Sequence, residues 1–321
     1  CAHLSDHLAL VDEVRPARAW YYFNSGARVA EHARLWAAEI AALVRAHGGG
    51  NRRLALDKAD RDGVAALEVE GVVLHDGQEV MEQARALKSE NEINAMRCAI
   101  ATCEAAMAAM KAELRPGISE QELWAHLHAE NVRRGGEWIE TRLLSSGPRT
   151  NPWFQECGSR VIEAGDLVGF DTDLIGPYGY CADISRTWLC GDGRAIAAQT
   201  DLYRLAREQI AHNLDLVRPG LALREFSEQA FRLPERYRAN RYSVVAHGVG
   251  LCDEYPAVYY PEDAAQSGYD GVLEANMTIC LESYVGAAGG GEGVKLEQQL
   301  LITATSAEVL SHYPFEDDAF S

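Results

Sequence analysis

The sequence predicts an α+β fold, with helices flanking a mostly antiparallel sheet and a smaller α/β unit ahead of them. Three observations carry this reading. Two helical stretches with N-terminal capping boxes, opening at Ser89 and Ser119, follow one another directly. From Leu143 onward, turns and β-type segments dominate, interrupted by two further helical stretches. Residues 1–86 carry their own alternation of helix and strand, and such segregated runs build an α+β layer architecture.

The elements follow in order. In residues 1–86, Arg28–Ala46 places Val29, Leu35, Trp36, Ile40, Leu43 and Val44 at helical spacing, and Gly48-Gly49-Gly50-Asn51 ends it. Arg53–Asp57 and Val72–Leu74 read as strands. No chemical constellation falls here, so this unit reads as support, oligomer contact or a site lid. The second unit spans 87–321. Ser89 with Glu92 caps a helix to about Leu114, Arg115-Pro116-Gly117 breaks it, and Ser119 with Glu122 caps the next, to about Arg134. Further helices are expected near Thr200–Val217 and Arg224–Arg232. There is no repeat and no low-complexity segment.

Composition narrows the function. The chain has 321 residues, 47% of them apolar, enough for a sizeable core. No apolar run approaches the ~20 residues that span a bilayer. A formal charge of −18 argues against nucleic acid and anionic membranes as partners. Eight cysteines (Cys1, Cys98, Cys103, Cys157, Cys181, Cys190, Cys252 and Cys280) form no C-x-x-C pair, which points to free thiols in a reducing compartment, the cytoplasm. The chain opens on Cys1 without a start methionine and reads as part of a longer protein.

The chemistry concentrates in GFDTDLIGPYGYCADISRTW, Gly169–Trp188. Leu167–Phe170 and Tyr180–Trp188 have strand character, and Gly176-Pro177-Tyr178-Gly179 is turn chemistry. Asp171 and Asp173 are two apart, so on a strand they share a face, and the turn brings Asp183 alongside. Three carboxylates on one face repel unless they are protonated or share a cation. Further along stand His247 in HGVG, Glu282 after the apolar run Thr278–Leu281, and Glu297 ahead of Leu300-Leu301-Ile302. Five carboxylates and one imidazole suit a box for two divalent metals. Oxygen-rich ligation favours Fe, Mn, Co or Zn, and two such ions can polarise a substrate carboxyl.

The ordered set D…GYxxD-x-[ST]-R-T, HGxG, apolar run ending in Glu, and G-[VF]-[RK]-x-E resembles the pita-bread metallopeptidase family of methionine aminopeptidase, prolidase and creatinase. Here it reads Asp171, Gly179–Thr187, His247–Gly250, Glu282 and Gly293–Glu297. The opening Lys88-Ser89-Glu90-Asn91-Glu92-Ile93 and Arg115-Pro116-Gly117 also look like the family's. The resemblance covers about residues 86–310, and the small first unit fits the creatinase and prolidase branch. It implies a pita-bread fold with a pseudo-twofold sheet and a dinuclear centre, commonly in a homodimer. Arg186 and Lys295 would brace the ligands.

Departures from the peptidases carry the functional expectation. The stretch Ser146–Gln155 lacks the first amide-handling histidine, and Asp253-Glu254 stand where the second is expected. Ser283 replaces the usual proline after Glu282, Asp171 is one residue farther from Asp183, and Asp173 is added. In these respects the chain is similar to the dimethylsulfoniopropionate lyases of this fold. That resemblance implies two metals, most readily iron, on Asp171, Asp173, Asp183, His247, Glu282 and Glu297, with Asp253 as general base. The substrate is then a small zwitterion, a sulfonium carboxylate. Its cation is expected on aromatic faces, for which Trp153, Tyr242 and Tyr178 are the first choices and Phe154 and Tyr255 the others. A metallohydrolase of the aminopeptidase or proline dipeptidase type is the alternative, followed by a metal-free pita-bread binding module; creatinase-like hydrolysis fits less well.

Overall fold

The structure, a computed structural model, describes His3 and residues 10–321. Cys1 lies outside the described residues. The chain divides into two compact units, one ending at Glu82 and the other running from Gln83 to Ser321.

The first unit contains α1 (Tyr22–Ser25), α2 (Val29–His47), β1 (Arg53–Leu56), α3 (Arg61–Val69), β2 (Val73–Asp76) and the start of α4 (Gln78–Ala86). Ala33, Ala37 and Ala41 recur every fourth residue along α2, so one narrow face lets the helix approach Ala66 and Leu67 of α3 and Val72 closely. β1 and β2 pair in parallel. The sequence reading did not anticipate α4. It starts where the Gln78 amide donates to Asp76 Oδ1 at 2.9 Å.

The second unit opens with α5 (Glu90–Glu113) and α6 (Glu120–Arg133), both started by complete capping boxes. The strands follow: β3 (Trp138–Ile139), β4 (Leu144–Ser146), β5 (Leu167–Phe170), β6 (Leu174–Ile175), β7 (Cys181–Ala182) and β8 (Arg186–Leu189). Then come α7 (Ala197–Leu216), α8 (Leu223–Gln229), α9 (Glu235–Arg238), β9 (Ala246–Val249), β10 (Asp253–Val258), α10 (Pro261–Ser267), β11 (Thr278–Gly286), β12 (Gly293–Ile302) and β13 (Ala307–Val309). α7 starts three residues before Thr200 because Gln199 accepts from the Ile196 amide at 3.0 Å, closing the first turn. α8 stops at Gln229, and the Phe231 amide turns to Asn213 Oδ1 at 2.9 Å.

The sheets run β4-β5-β8, β3-β6-β7 and β10-β9-β11-β12-β13, and every pairing in them is antiparallel. Beside two smaller clusters, two large apolar cores form. In one, Met107, Met110, Leu123 and Leu127 of α5 and α6 meet Val168, Phe170 and Trp188. In the other, Tyr203, Ile210 and Phe226 of α7 and α8 meet Ile279, Val294 and Leu296. β11 and β12 are buried along their whole length, which leaves their polar side chains to find partners inside.

Candidate metal centre and active site

Asp171 and Asp173 do not lie on a strand. They fall in the gap between β5 and β6, and Asp183 falls between β7 and β8. The pairing Phe170↔Arg186 and Leu174↔Ala182 nevertheless keeps one register across the gap, so Asp173 stands opposite Asp183. Thr172 fills in for the missing ladder bonds. Its Oγ1 donates to Ala182 O and accepts from the Ile184 amide, both at 2.9 Å. Asp173 takes a left-handed φ of 35°, which turns its carboxylate to the same side as Asp171 despite the broken strand. The shared face is therefore real, but a side-chain-filled break produces it in place of strand alternation.

The other three acceptors come from ladder register. Glu282 and Glu297 are direct partners on β11 and β12, and His247 on β9 is opposite Cys280 on β11. The Glu297 amide donates to Ser185 O at 3.2 Å, tying β12 to the aspartate hairpin. Arg186, buried, donates to the carbonyls of Glu297 and Ser185 at 2.6 and 2.9 Å and so braces that junction through its backbone.

All six expected ligands converge. Ligand atoms lie within 4.8 Å of one another in three overlapping groups: Asp171 with Asp173 and Asp183; Asp171 with Glu282 and Glu297; and Asp183 with His247, Glu297 and Cys280. His247 Nε2 is 3.2 Å from Glu282 Oε1 and 3.7 Å from both Asp183 Oδ2 and Glu297 Oε1. Its Nδ1–H donates to Gly248 O at 3.0 Å, which fixes the ring with Nε2 facing the acids.

Two residues the motif reading treated lightly sit at the centre. Lys295 Nζ is 2.7 Å from Glu282 Oε2, 2.8 Å from Asp171 Oδ2 and 3.4 Å from Glu297 Oε2. It touches the acids directly and donates to Ser185 Oγ at 2.6 Å. Ser185 Oγ in turn lies 2.7 Å from both Asp171 Oδ1 and Glu297 Oε2. The signal for Ser185 was its place two residues after Asp183, facing the same way. Cys280, also in the cluster, is two residues before Glu282 on one strand face.

Electrostatics show how this cluster resists five negative charges. Burial, then Asp171, pushes Asp173 up to about 8. Burial, then Glu297, pushes Glu282 up to about 8 and drives Asp183 well above the carboxylate range. Burial and Glu297 also raise Asp171, against the pull of Lys295. Glu297 goes the other way: burial disfavours its charge, but Lys295 and His247 hold it well below the usual range. For His247, burial opposes the imidazolium, yet Asp253, Glu282 and Glu297 outweigh it and raise the pKa. Asp183 Oδ1 and Glu297 Oε1 are buried with no hydrogen-bond partner among the described residues. Orphaned carboxylate oxygens in an oxygen-rich cage fit hard or borderline cations.

At the rim, Asp253 and Glu254 part company. The Asp253 side chain is 61% exposed, with Oδ1 3.5 Å from His247 Nδ1. Glu254 is buried and pairs with Lys88 and Arg85. The aromatics also separate. Trp153 and Tyr242 lie over Lys295 Nζ, at 5.6 and 4.6 Å from their ring centroids. Phe154 stacks on Tyr242 at 5.3 Å, is 57% exposed and has a φ of 67°. Tyr178 is 75% exposed in the turn between β6 and β7, outside this aromatic group. Tyr255 stacks on Tyr269 at 5.7 Å, against the α7 and α8 core.

The model of metallopeptidase family M24 matches residues 94–304. The chain belongs to that family. It is 48% identical, over 98% of its length and 71% of the relative's, to dimethylsulfoniopropionate lyase DddP of Roseovarius nubinhibens. It is 45% identical, with the same coverage, to dimethylsulfoniopropionate lyase DddP of Roseobacter denitrificans. In fold it is similar to an Xaa-Pro dipeptidase from Bacillus anthracis, with a TM-score of 0.75, 23% identity, and coverage of 88% of this chain and 78% of the other. The pita-bread expectation thus stands, with mixed helices and sheets as described.

Proposed function

We propose that this protein is a metal-dependent carbon–sulfur lyase that cleaves dimethylsulfoniopropionate to dimethyl sulfide and acrylate. The observation that carries this reading is the near-half identity, across almost the whole chain, to the DddP lyases. The site supports it. His247 is the only histidine in the acid cluster among the described residues, so the imidazoles that handle a scissile amide have no counterpart there.

The residues that would hold two ions are Asp171, Asp173, Asp183, His247, Glu282 and Glu297. Five carboxylates against the Lys295 ammonium leave four formal negative charges, which two divalent ions neutralise. Iron is the first choice, and zinc, manganese and cobalt share the ligand chemistry. When bound, the ions supply Lewis acidity that makes the α-carbon of a carboxylate substrate acidic.

Asp253, exposed at the rim, takes the α-proton. The C–H electron pair becomes the new C=C bond, the Cβ–S bond breaks, and its pair leaves on neutral dimethyl sulfide. Trp153, Tyr242 and Phe154 give the sulfonium an aromatic surround. The working unit is a homodimer in the cytoplasm, a reading supported by the family resemblance and by the free cysteines Cys98, Cys103, Cys157, Cys181, Cys190 and Cys280. No helix among the described residues is long and apolar enough to cross a membrane.

The test is headspace measurement of dimethyl sulfide, with metal content measured on the same sample. Stoichiometric sulfide and acrylate are expected. Amine release from Xaa-Pro dipeptides with no sulfide would replace this reading with the hydrolase, and protein holding no metal would favour the binding module.

A further inference from the structure

The opening run Lys88–Ile93 has no part in the chemistry above, yet Lys88 is buried and Glu92 reaches the aspartate hairpin. Lys88 is buried, with Nζ 3.3 Å from Glu254 Oε1 and 3.5 Å from Ala86 O, and its amide donates to Asn276 O at 2.9 Å. Arg85 Nε is 3.2 Å from Glu254 Oε2. Glu254 is thus a buried carboxylate facing two cations from the segment that leads into α5, on the opposite side of β10 from Asp253.

The same carboxylate shapes the turn that carries Asp253. Its Oε1 accepts from the Leu251 amide at 3.2 Å. It also lies against Gly250 so closely that a Cβ there would stand 1.5 Å from Oε1. The other face of the turn is tied to the aspartate hairpin, where Gly250 O accepts from the Cys181 amide at 2.7 Å, two residues from Asp183. That hairpin meets α5 as well, through Tyr180 Oη donating to Glu92 Oε1 at 3.1 Å. The start of α5 therefore grips both acid-bearing segments, one through Glu92 and the other through Lys88.

We propose that Glu254 is a positioning residue: held by Lys88 and Arg85, it locks the Gly250–Asp253 turn in register with the Asp183 hairpin and keeps Asp253 beside His247. Glu254 belongs to none of the three acid groups of the cluster and acts through the turn. The kinetic part of this inference rests on the lyase reading; the structural part does not.

Glu254→Gln tests it, because the amide keeps the size and still accepts from Leu251 but no longer draws the two cations. Metal content should match the wild type. kcat should fall by about ten- to a hundredfold while KM moves by less than about twofold, as for a displaced reacting group. Amide hydrogen exchange should quicken together in residues 178–183 and 248–254. Arg85→Gln, which leaves Lys88 in place, should shift both readouts the same way by less and serves if Glu254→Gln does not fold. Faster exchange confined to 248–254, or wild-type kcat in either folded variant, would overturn the brace. If wild-type protein releases no dimethyl sulfide, the lyase reading fails and the exchange pattern alone decides the brace.

Discussion

Removing the ammonium of Lys295 tests how the acid cluster is held together. Nζ sits within 2.7–3.4 Å of Glu282, Asp171 and Glu297 and donates to Ser185, all of them buried. Lys295→Met keeps much of the volume and leaves three carboxylates without that cation. Losing one partner of a buried ion pair costs about 3–5 kcal/mol. For a unit of this size each kcal/mol shifts Tm by about 2–4 °C. Chelator-treated variant should therefore melt about 6–20 °C below chelator-treated wild type. The same substitution takes a like charge away from any bound cation, so added metal should raise the variant's Tm by more than it raises the wild type's. Differential scanning fluorimetry with and without metal reads both. An unchanged Tm without metal, or equal metal-induced rises, would refute the view that Lys295 substitutes for part of the missing positive charge.

Asp253→Asn should lower kcat by about 10²–10⁴-fold with metal content unchanged, as expected for loss of a general base; a variant that keeps its rate but binds metal ~10–100-fold more weakly would make Asp253 an orienter of His247 instead. Metal-free protein should lose stability as pH rises from about 4 to about 8. Asp173 and Glu282 are raised to about 8 in the fold, so the folded state holds protons that the unfolded chain has released across that window. Melting curves at pH 6 and pH 9 read this, and a higher Tm at pH 9 would contradict it. Phe154→Leu should raise KM about 2–30-fold if its exposed face holds the sulfonium, from a cation–π contribution of roughly 0.5–2 kcal/mol. Inhibition by 4-methylpentanoate, the isostere with a neutral CH in place of the sulfonium, should stay unchanged, and an equal loss there would assign Phe154 to shape alone.

Much of the centre was visible in the sequence because register and apolar context constrain it. Glu282 directly follows a run of core residues and Glu297 shortly precedes another, so both had to be buried, and burial demands a partner. The capping boxes at Ser89 and Ser119 fixed where α5 and α6 begin. The aspartate hairpin was read correctly in outcome and wrongly in cause. Strand alternation predicted a shared face, whereas the structure breaks the strand, places Thr172 in the gap and turns Asp173 through a left-handed φ. Lys295 is expected from the resemblance only to brace the ligands, whereas the structure seats its ammonium among them. Strand alternation puts it on the same face as Glu297, but only the tertiary position of Asp171 and Glu282 shows that this face is the cluster itself.

Asp253 and Glu254 show most clearly where sequence reasoning stops. Period-two alternation says that adjacent strand residues face opposite ways, so one acid could meet the chemistry and the other could not. It does not say which side holds the chemistry. That choice is made by Lys88 and Arg85, more than 160 residues earlier, whose charges draw Glu254 inward and leave Asp253 at the rim. A charge-neutral residue at 254 would free the turn to present either side. On this view the acid facing His247 is selected by a buried ion pair on the far side of its own strand.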